Sequence, residues 1–399
     1  MAFRKPLEVE RLLALGQRPS ENAVAATIAS VPSRWMSNPR AVTSCLRELA
    51  KAQRAHTAFA VLRTLASGAA ELNAFHYGAA VSACERAGQW PMALDLLGTM
   101  VEAGVDGSVV VWSSAIGACA KAGQWPMAFW LLASMVEAHV ERDTITCSAT
   151  ISACEKAGRW SAALCILGAM EEARIPTDTI AYNAAISACE KGAEWRMALC
   201  LFDAIVEAQV ESGTVTYNAA ISACEKGGEL TRALELIEGM AHIQVEMDTI
   251  TCSAAISASE KAGDWTRALE LLDFMARRRV EADTIACSSA ISACEKALEW
   301  AVAMELFTGM ARASMELDGV AYSSAMSACE KCGEWVRALA LLNGMEQIAL
   351  EADAIACSAA ISACEKGGAW ARALDILRGM SRGRIELDTI ACNAAISAC

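Results

Sequence analysis

Proline is scarce in this chain, seven in 399 residues, so long stretches are free to be helical. Histidine is scarcer still. His56, His76, His139 and His242 stand at unrelated places, and no Ser-His-Asp or Cys-His grouping can be assembled around them. Phosphate-loop and dinucleotide glycine fingerprints are missing too. These absences point away from an enzyme, and no cofactor or metal is expected. No stretch of eighteen apolar residues is free of charge, so no segment is expected to enter a bilayer. Basic residues are outnumbered, 34 against 47 acidic, and the formal charge of −13 is a poor match for a phosphate-rich partner. Only 20% of residues are charged while 55% are hydrophobic, which excludes a disordered chain.

Cysteine is abundant, and its placement is periodic. The segment Ile151-Ser152-Ala153-Cys154-Glu155-Lys156 recurs so that Cys84, Cys119, Cys154, Cys189, Cys224, Ser259, Cys294, Cys329, Cys364 and Cys399 stand 35 residues apart. Such a column is not a compact disulfide module, and a reducing compartment is expected. A fixed period of this length marks stacked units, each too thin to bury its own apolar face. Residues 1–38 are not repetitive, 39–73 fit the frame loosely as a degenerate repeat, 74–388 hold nine complete repeats, and 389–399 begin a tenth.

Within one unit, residues 179–191 carry helical spacing without Pro or Gly, and a second apolar-striped run starts at Trp195 and ends near Ile205. Gly123, Gly158, Gly228, Gly263, Gly333 and Gly368 fall in the turn between the runs, where a left-handed residue closes a helix. The second helix has a tryptophan column (Trp90, Trp125, Trp160, Trp195, Trp265, Trp300, Trp335, Trp370) and a methionine column from Met100 to Met380. Aromatic and thioether stripes at fixed helical phase are expected to pack between repeats rather than to stack on bases. The expected fold is an all-α solenoid of two-helix repeats.

One unit can be followed through Tyr217-Asn218-Ala219-Ala220-Ile221, Cys224-Glu225-Lys226-Gly227-Gly228, Arg232-Ala233-Leu234-Glu235-Leu236, Met240 and Asp248. This pattern resembles the pentatricopeptide repeat, over about nine-tenths of the chain. The resemblance implies a right-handed superhelix whose first helices line a groove for single-stranded RNA, with one nucleotide read per repeat. It implies an RNA-binding protein of mitochondria or plastids, expected to act as a monomer in RNA processing, stability or translation.

In that family the fifth and last residues of a repeat read the base edge, and the second wedges between bases. The fifth-residue column here is Thr43, Gly78, Ser113, Ser148, Asn183, Asn218, Ser253, Ser288, Ser323, Ser358 and Asn393. A solvent-facing helix position has no need of this restriction to small polar residues, since Lys, Glu or Gln make better helix. The last-residue column is Asn73, Ser108, Asp143, Asp178, Gly213, Asp248, Asp283, Asp318, Asp353 and Asp388. The aspartates also stand where a carboxylate caps the following helix, and both roles can coexist. By the family's code Asn218 with Asp248 suggests uracil, Thr43 with Asn73 adenine, and the Ser/Asp pairs guanine. The apolar column of Val110, Ile145, Ile180, Val215, Ile250, Ile285, Val320 and Ile355, preceded by Phe75, reads on its own as ordinary packing and through the resemblance as the wedge. A basic column, Arg86, Lys121, Lys156, Lys191, Lys226, Lys261, Lys296, Lys331 and Lys366, ends the first helices, where cations complement the helix dipole and the resemblance implies phosphate contact.

Several features depart from the family pattern. A glutamate precedes most of these lysines, and a second acidic row, Glu141, Glu211, Glu246, Glu281, Glu316, Glu351 and Glu386, lies two residues before the repeat ends. These rows leave open a second reading, a protein-interaction scaffold that holds a basic partner. Cys147, Cys252, Cys287, Cys357 and Cys392 stand seven residues before the main cysteine column, roughly 10 Å along a helix, too far apart to share a zinc ion. At the N-terminus, Leu7–Leu15 is a short amphipathic patch and Glu21–Ser30 is expected to form a capping helix. The basic Arg4, Lys5, Arg11 and Arg18 resemble an organelle leader, though Glu8, Glu10 and Glu21 do not suit one.

Overall fold

The structure is a computed structural model that describes residues 7–30, 38–67, 72–313, 315, 317–347, 354–383 and 389–398. These residues form 23 helices and no strand, and none of the helices is long and apolar enough to cross a membrane. The chain divides into two compact units, residues 1–211 and 212–399.

In the first unit the helix pairs are Pro39–Lys51 with Ala55–Ser67, Ala74–Arg86 with Trp90–Glu102, Val109–Lys121 with Trp125–Glu137, Thr144–Lys156 with Trp160–Glu172, and Thr179–Lys191 with Trp195–Glu207. The first helices pack side by side in series, and each also packs on its own second helix. Ahead of them, Leu7–Ala14 and Glu21–Ala29 bury Val9, Leu12, Val24 and Ile28. The second of these short helices lies on Ala55–Ser67, with Arg63 donating to Glu21 at 3.0 Å. The apolar edge of the first repeat is thereby covered.

The second unit repeats the plan with Thr214–Gly227 and Leu230–His242, Thr249–Ala262 and Trp265–Arg278, Thr284–Lys296 and Trp300–Arg312, Gly319–Cys332 and Trp335–Gln347, Ala354–Lys366 and Trp370–Gly383, and finally Thr389–Ala398. Its first helices again pack in series.

The core is built from columns. Cys84, Cys119, Cys154, Cys189, Cys224, Ser259, Cys294, Cys329 and Cys364 are fully buried, as are Ile116, Ile151, Ile186, Ile221, Ile256, Ile291 and Ile361 three residues before them. Met100, Met135, Met170, Met240, Met275, Met310, Met345 and Met380 fill the corresponding places on the second helices. Burial pushes the Cys154, Cys224 and Cys294 thiols up to about 11, so at neutral pH this column acts as a small hydrophobe rather than as a nucleophile. In the tryptophan column, Trp90, Trp125, Trp160, Trp265, Trp300 and Trp335 are half-buried against the core, as expected of inter-repeat packing, whereas Trp370 is exposed. A Cβ added at Gly192 would lie 2.4 Å from the ring of Trp160, which shows how closely one repeat's tryptophan meets the turn of the next.

Each first helix closes on its own cysteine column. The N–H of Gln89, Gln124, Arg159 and Glu194 donates at 2.9 Å to the carbonyl of Cys84, Cys119, Cys154 and Cys189, five residues back. That closure needs a left-handed residue in between. Glycine supplies it at Gly123, Gly158, Gly228, Gly263, Gly333 and Gly368, the positions marked in the sequence. Ala193 and Leu298 adopt the same conformation without glycine, at φ of 59° and 66°. Leu298 is exposed and loses little packing on truncation. Leu298→Gly is therefore expected to raise stability by roughly 0.5–1 kcal/mol, read as a higher denaturant midpoint. An unchanged or lower midpoint would show that the Leu298 backbone is not strained.

Candidate nucleic-acid interface

The first-helix face is set out by spacing. Residues two and five of a repeat lie three apart on a helix and share a face, and the last residue of the repeat sits at the N-terminus of the next first helix. Phe75, Val110, Ile145, Ile180, Val215, Ile250, Ile285, Val320 and Ile355 are all between 57% and 70% exposed. The packing reading of this column is thereby overturned: these side chains stand on the open face, because the neighbouring first helices bury the opposite side, where the Ile and Cys columns lie. Scattered exposed apolar residues need no explanation, but a regular row of them does.

The aspartates cap the helices. Asp178, Asp248, Asp283 and Asp318 each accept the N–H three residues on at 2.8–2.9 Å, and Asp143 accepts from Thr146 at 2.9 Å. The Thr146 and Thr251 hydroxyl oxygens accept the backbone N–H of Asp143 and Asp248 in turn, at 3.1 and 3.4 Å, completing reciprocal caps that the sequence reading missed. Threonines at the repeat start add a further tie: Thr144, Thr214 and Thr249 donate at 2.7–3.0 Å to the carbonyls of Pro176, Glu246 and Glu281 in the loops before the next first helices. The carboxylates are thus fixed in place from both sides.

The structure brings fifth and last residues together across adjacent repeats. Ser148 Oγ donates to Asp178 at 3.0 Å, Ser253 Oγ donates to Asp283 at 2.9 Å, and Asn218 Nδ2 reaches both oxygens of Asp248 at 3.1 and 3.0 Å. Thr251 Oγ1 donates to Asn218 Oδ1 at 2.5 Å and so fixes which way the amide points. Burial works to raise the Asp248 carboxyl. The hydrogen bonds from the Thr251 N–H, the Thr251 hydroxyl and Asn218 outweigh it and hold the group below the ordinary carboxylate range.

The expectation of a solvent-facing fifth column needs correction. Ser148, Ser253, Ser288 and Ser358 are only 5–7% exposed. Each holds its hydroxyl 2.6–2.7 Å from the carbonyl four residues back, because a short hydroxyl on a helix reaches its own backbone, so at Ser148 and Ser253 the one proton is shared between that carbonyl and the carboxylate. Ser113 and Ser323 are half-buried and bond to Val110 and Val320 three residues back. Thr43 is half-buried and bonds to the Pro39 carbonyl. Asn183 and Asn218 are half-buried, and the frame partner of Asn183 is Gly213, which has no side chain to offer. Asn73 is exposed and caps through Phe75 and His76. Asp353 and Asp388 lie outside the described residues.

The basic column is engaged within the chain. Lys121, Lys191, Lys261, Lys296, Lys331 and Lys366 pair at 2.8–4.0 Å with Glu85, Glu155, Glu225, Glu260, Glu295 and Glu330 of the preceding repeat. Where Ala120 replaces the glutamate, Lys156 donates to the Lys121 carbonyl instead. Lysines expected as free phosphate contacts are thus ties between repeats first, and a phosphate has to compete with a carboxylate for them. Each exposed pair contributes on the order of 0–1 kcal/mol.

Lowering the pH tests the cap at Asp248. With its pKa depressed on folding, its contribution is complete above the unfolded value near 3.9 and is lost as pH falls through the lower folded value. Asp248→Asn is expected to flatten the stability profile of the second unit between about pH 5 and 2. A profile identical to that of the unmodified chain would contradict the hydrogen-bond pattern.

Family models bear on these same repeats. The one described as PPR repeat matches residues 75–105, 110–140, 215–243, 250–280 and 320–348, and the one described as pentatricopeptide repeat domain matches residues 130–191. No curated protein matches the chain. Among solved structures, the pentatricopeptide repeat protein PPR10 in complex with an 18-nt psaJ RNA element is similar at a TM-score of 0.60 and 16% identity, covering 95% of this chain and 61% of that one. PPR10 from maize, solved separately, is similar at a TM-score of 0.52 and 18% identity, covering 100% of this chain and 66% of that one. The chain thus spans about three-fifths to two-thirds of the length of these structural relatives. At such identities the likeness speaks for the fold. With the family matches and the paired helices of the repeat frame, it establishes that this chain belongs to the pentatricopeptide-repeat family.

Proposed function

We propose that the first-helix faces of both units hold single-stranded RNA, one nucleotide to a repeat, and that the protein acts by binding alone in the processing, stability or translation of an organellar transcript. The carrying observation is the coincidence of two rows on one face. One is the exposed apolar second-residue row, and the other is the row of capped carboxylates held by fifth-residue side chains. A base slots between successive apolar side chains and turns its edge to the carboxylate pair. Apolar contact with a base is sequence-tolerant, while the edge contact discriminates.

The buried serines shift the roles within each pair. In the Ser148/Asp178 and Ser253/Asp283 pairs the hydroxyl proton is already engaged, so the carboxylate is the reading group and the serine positions it. An ionised carboxylate only accepts, so it selects bases that offer N–H groups at that edge. Guanine presents two such donors, which supports a purine-rich target for the Ser/Asp repeats. At Asn218 the amide is itself at the face and reads with Asp248, consistent with uracil there.

A protein-interaction scaffold is favoured by one observation, the exposed row of Glu141, Glu211, Glu246 and Glu281 in the loops that lead into the first helices. Glu316, Glu351 and Glu386 lie outside the described residues. The acid excess at the other end of the first helices is reduced by the Glu–Lys pairs, so net charge alone overstates how acidic that edge is.

Selection from a random single-stranded RNA pool decides between these readings. Enrichment of a purine-rich site is expected, with log affinity falling against log salt at about 0.7 per phosphate engaged. Asn218→Ser is expected to change the selected base at one position and leave its neighbours unchanged. No enrichment at any salt, together with capture of a basic peptide, would remove RNA as the ligand.

A further inference from the structure

The Glu–Lys pairing that occupies most of the basic column fails at its N-terminal end. Position 50 is alanine where later repeats carry the glutamate, so the carboxylate that pairs with the lysines is missing for Arg86. Arg47 stands at the ninth residue of its repeat, where Ser82, Gly117, Ser152 and Ser187 occupy the following ones. Among the described residues neither guanidinium takes part in an ion pair, and both arginines are exposed. On a chain of net charge −13 these are unspent cations on the first-helix face.

They surround two adjoining depressions. One, of about 520 Å³, is lined by Arg47, Lys51, Phe75, Gly78, Arg86 and Val110. The other, of about 550 Å³, shares Arg47, Lys51 and Phe75 and continues to Arg40, Thr43 and Asn73. The first lies where the fifth residue is Gly78, the only member of its column without a polar side chain. Phe75, 70% exposed, is also the only aromatic residue in the second-residue column, and Val110 stands opposite at 66%. Lys51 is held by Glu48 at 2.7 Å.

The geometry points to a nucleotide anchor at the repeats 39–73 and 74–108, where a base stacks on Phe75 in the depression beside Gly78 and its flanking phosphates lie on Arg47 and Arg86. This inference rests on the RNA reading above and deepens it. Gly78 offers no side chain to a base edge, so at this step the grip comes from stacking and phosphate contact, while the carboxylate pairs farther along do most of the choosing. A planar guanidinium suits a phosphate bidentately, and here it has no internal carboxylate to give up first. The paired lysines must exchange one anion for another, which gains less. The acidic chain thereby gains more electrostatic attraction for the strand at this anchor than at a paired lysine.

The test uses the full chain and a fluorescein-labelled single-stranded RNA of alternating G and A, titrated over a range of salt. Replacing both cations (Arg47→Gln with Arg86→Gln) is expected to reduce the slope of log affinity against log salt by about 1.4, two phosphates at about 0.7 each. Replacing two paired lysines (Lys261→Gln with Lys296→Gln) is expected to change it by clearly less. Phe75→Ala is expected to weaken binding roughly tenfold with the slope unchanged, as loss of one stacked base should. All of these side chains are exposed, so the variants should fold, and circular dichroism checks that they do. Equal slopes for the arginine and lysine pairs would overturn the anchor while leaving RNA binding intact. Failure of the unmodified chain to bind this RNA at any salt would overturn the anchor together with the reading it rests on.

Discussion

Every feature of the first-helix face depends on adjacent first helices packing in register through a buried Ile/Cys column. No repeat can bury that column alone. Ile291 and Cys294 are fully buried only because the first helices on either side close over them, and the same holds for Ile256 with Ser259 and Ile151 with Cys154. The same packing sets the repeat-to-repeat offset at which Ser148 meets Asp178 and Ser253 meets Asp283, each thirty residues apart in sequence. If the column slipped, both the core and the pairs would be lost.

Much of the architecture was legible in the sequence because core columns announce themselves by period. The cysteine and methionine columns proved to be interior, the turn glycines proved left-handed, and the tryptophans proved to be packing residues. Three things were not legible, each for a physical reason. The second-residue column, taken without the family resemblance, read as ordinary packing because an apolar residue every 35 positions carries no sign of which side of the helix is covered. The fifth-residue serines read as solvent-facing because their short side chains fold back to backbone carbonyls, a choice that composition does not reveal. The glutamate beside most lysines was visible, but not which lysine it meets, because the partners lie one repeat apart, at a separation of 36 residues that only stacking turns into contact.

That last point changes how the charge of the chain should be weighed. A formal charge of −13 suggests a surface hostile to phosphate, yet the glutamates beside the basic column are engaged across repeats. Exposed pairs of this kind add little stability singly. Their second effect is to decide where free positive charge remains. Among the described residues, Arg86 is left without a paired carboxylate where Ala50 stands, and Arg47 beside it takes part in no ion pair.

The central claim is that stacking phase converts a 35-residue period into a one-nucleotide step. Removing residues 249–283, one whole period within the second unit, should leave a folded chain whose RNA site, selected from a random pool, is shorter by one nucleotide and otherwise in the same order. A site of unchanged length from a folded deletion chain would contradict that claim.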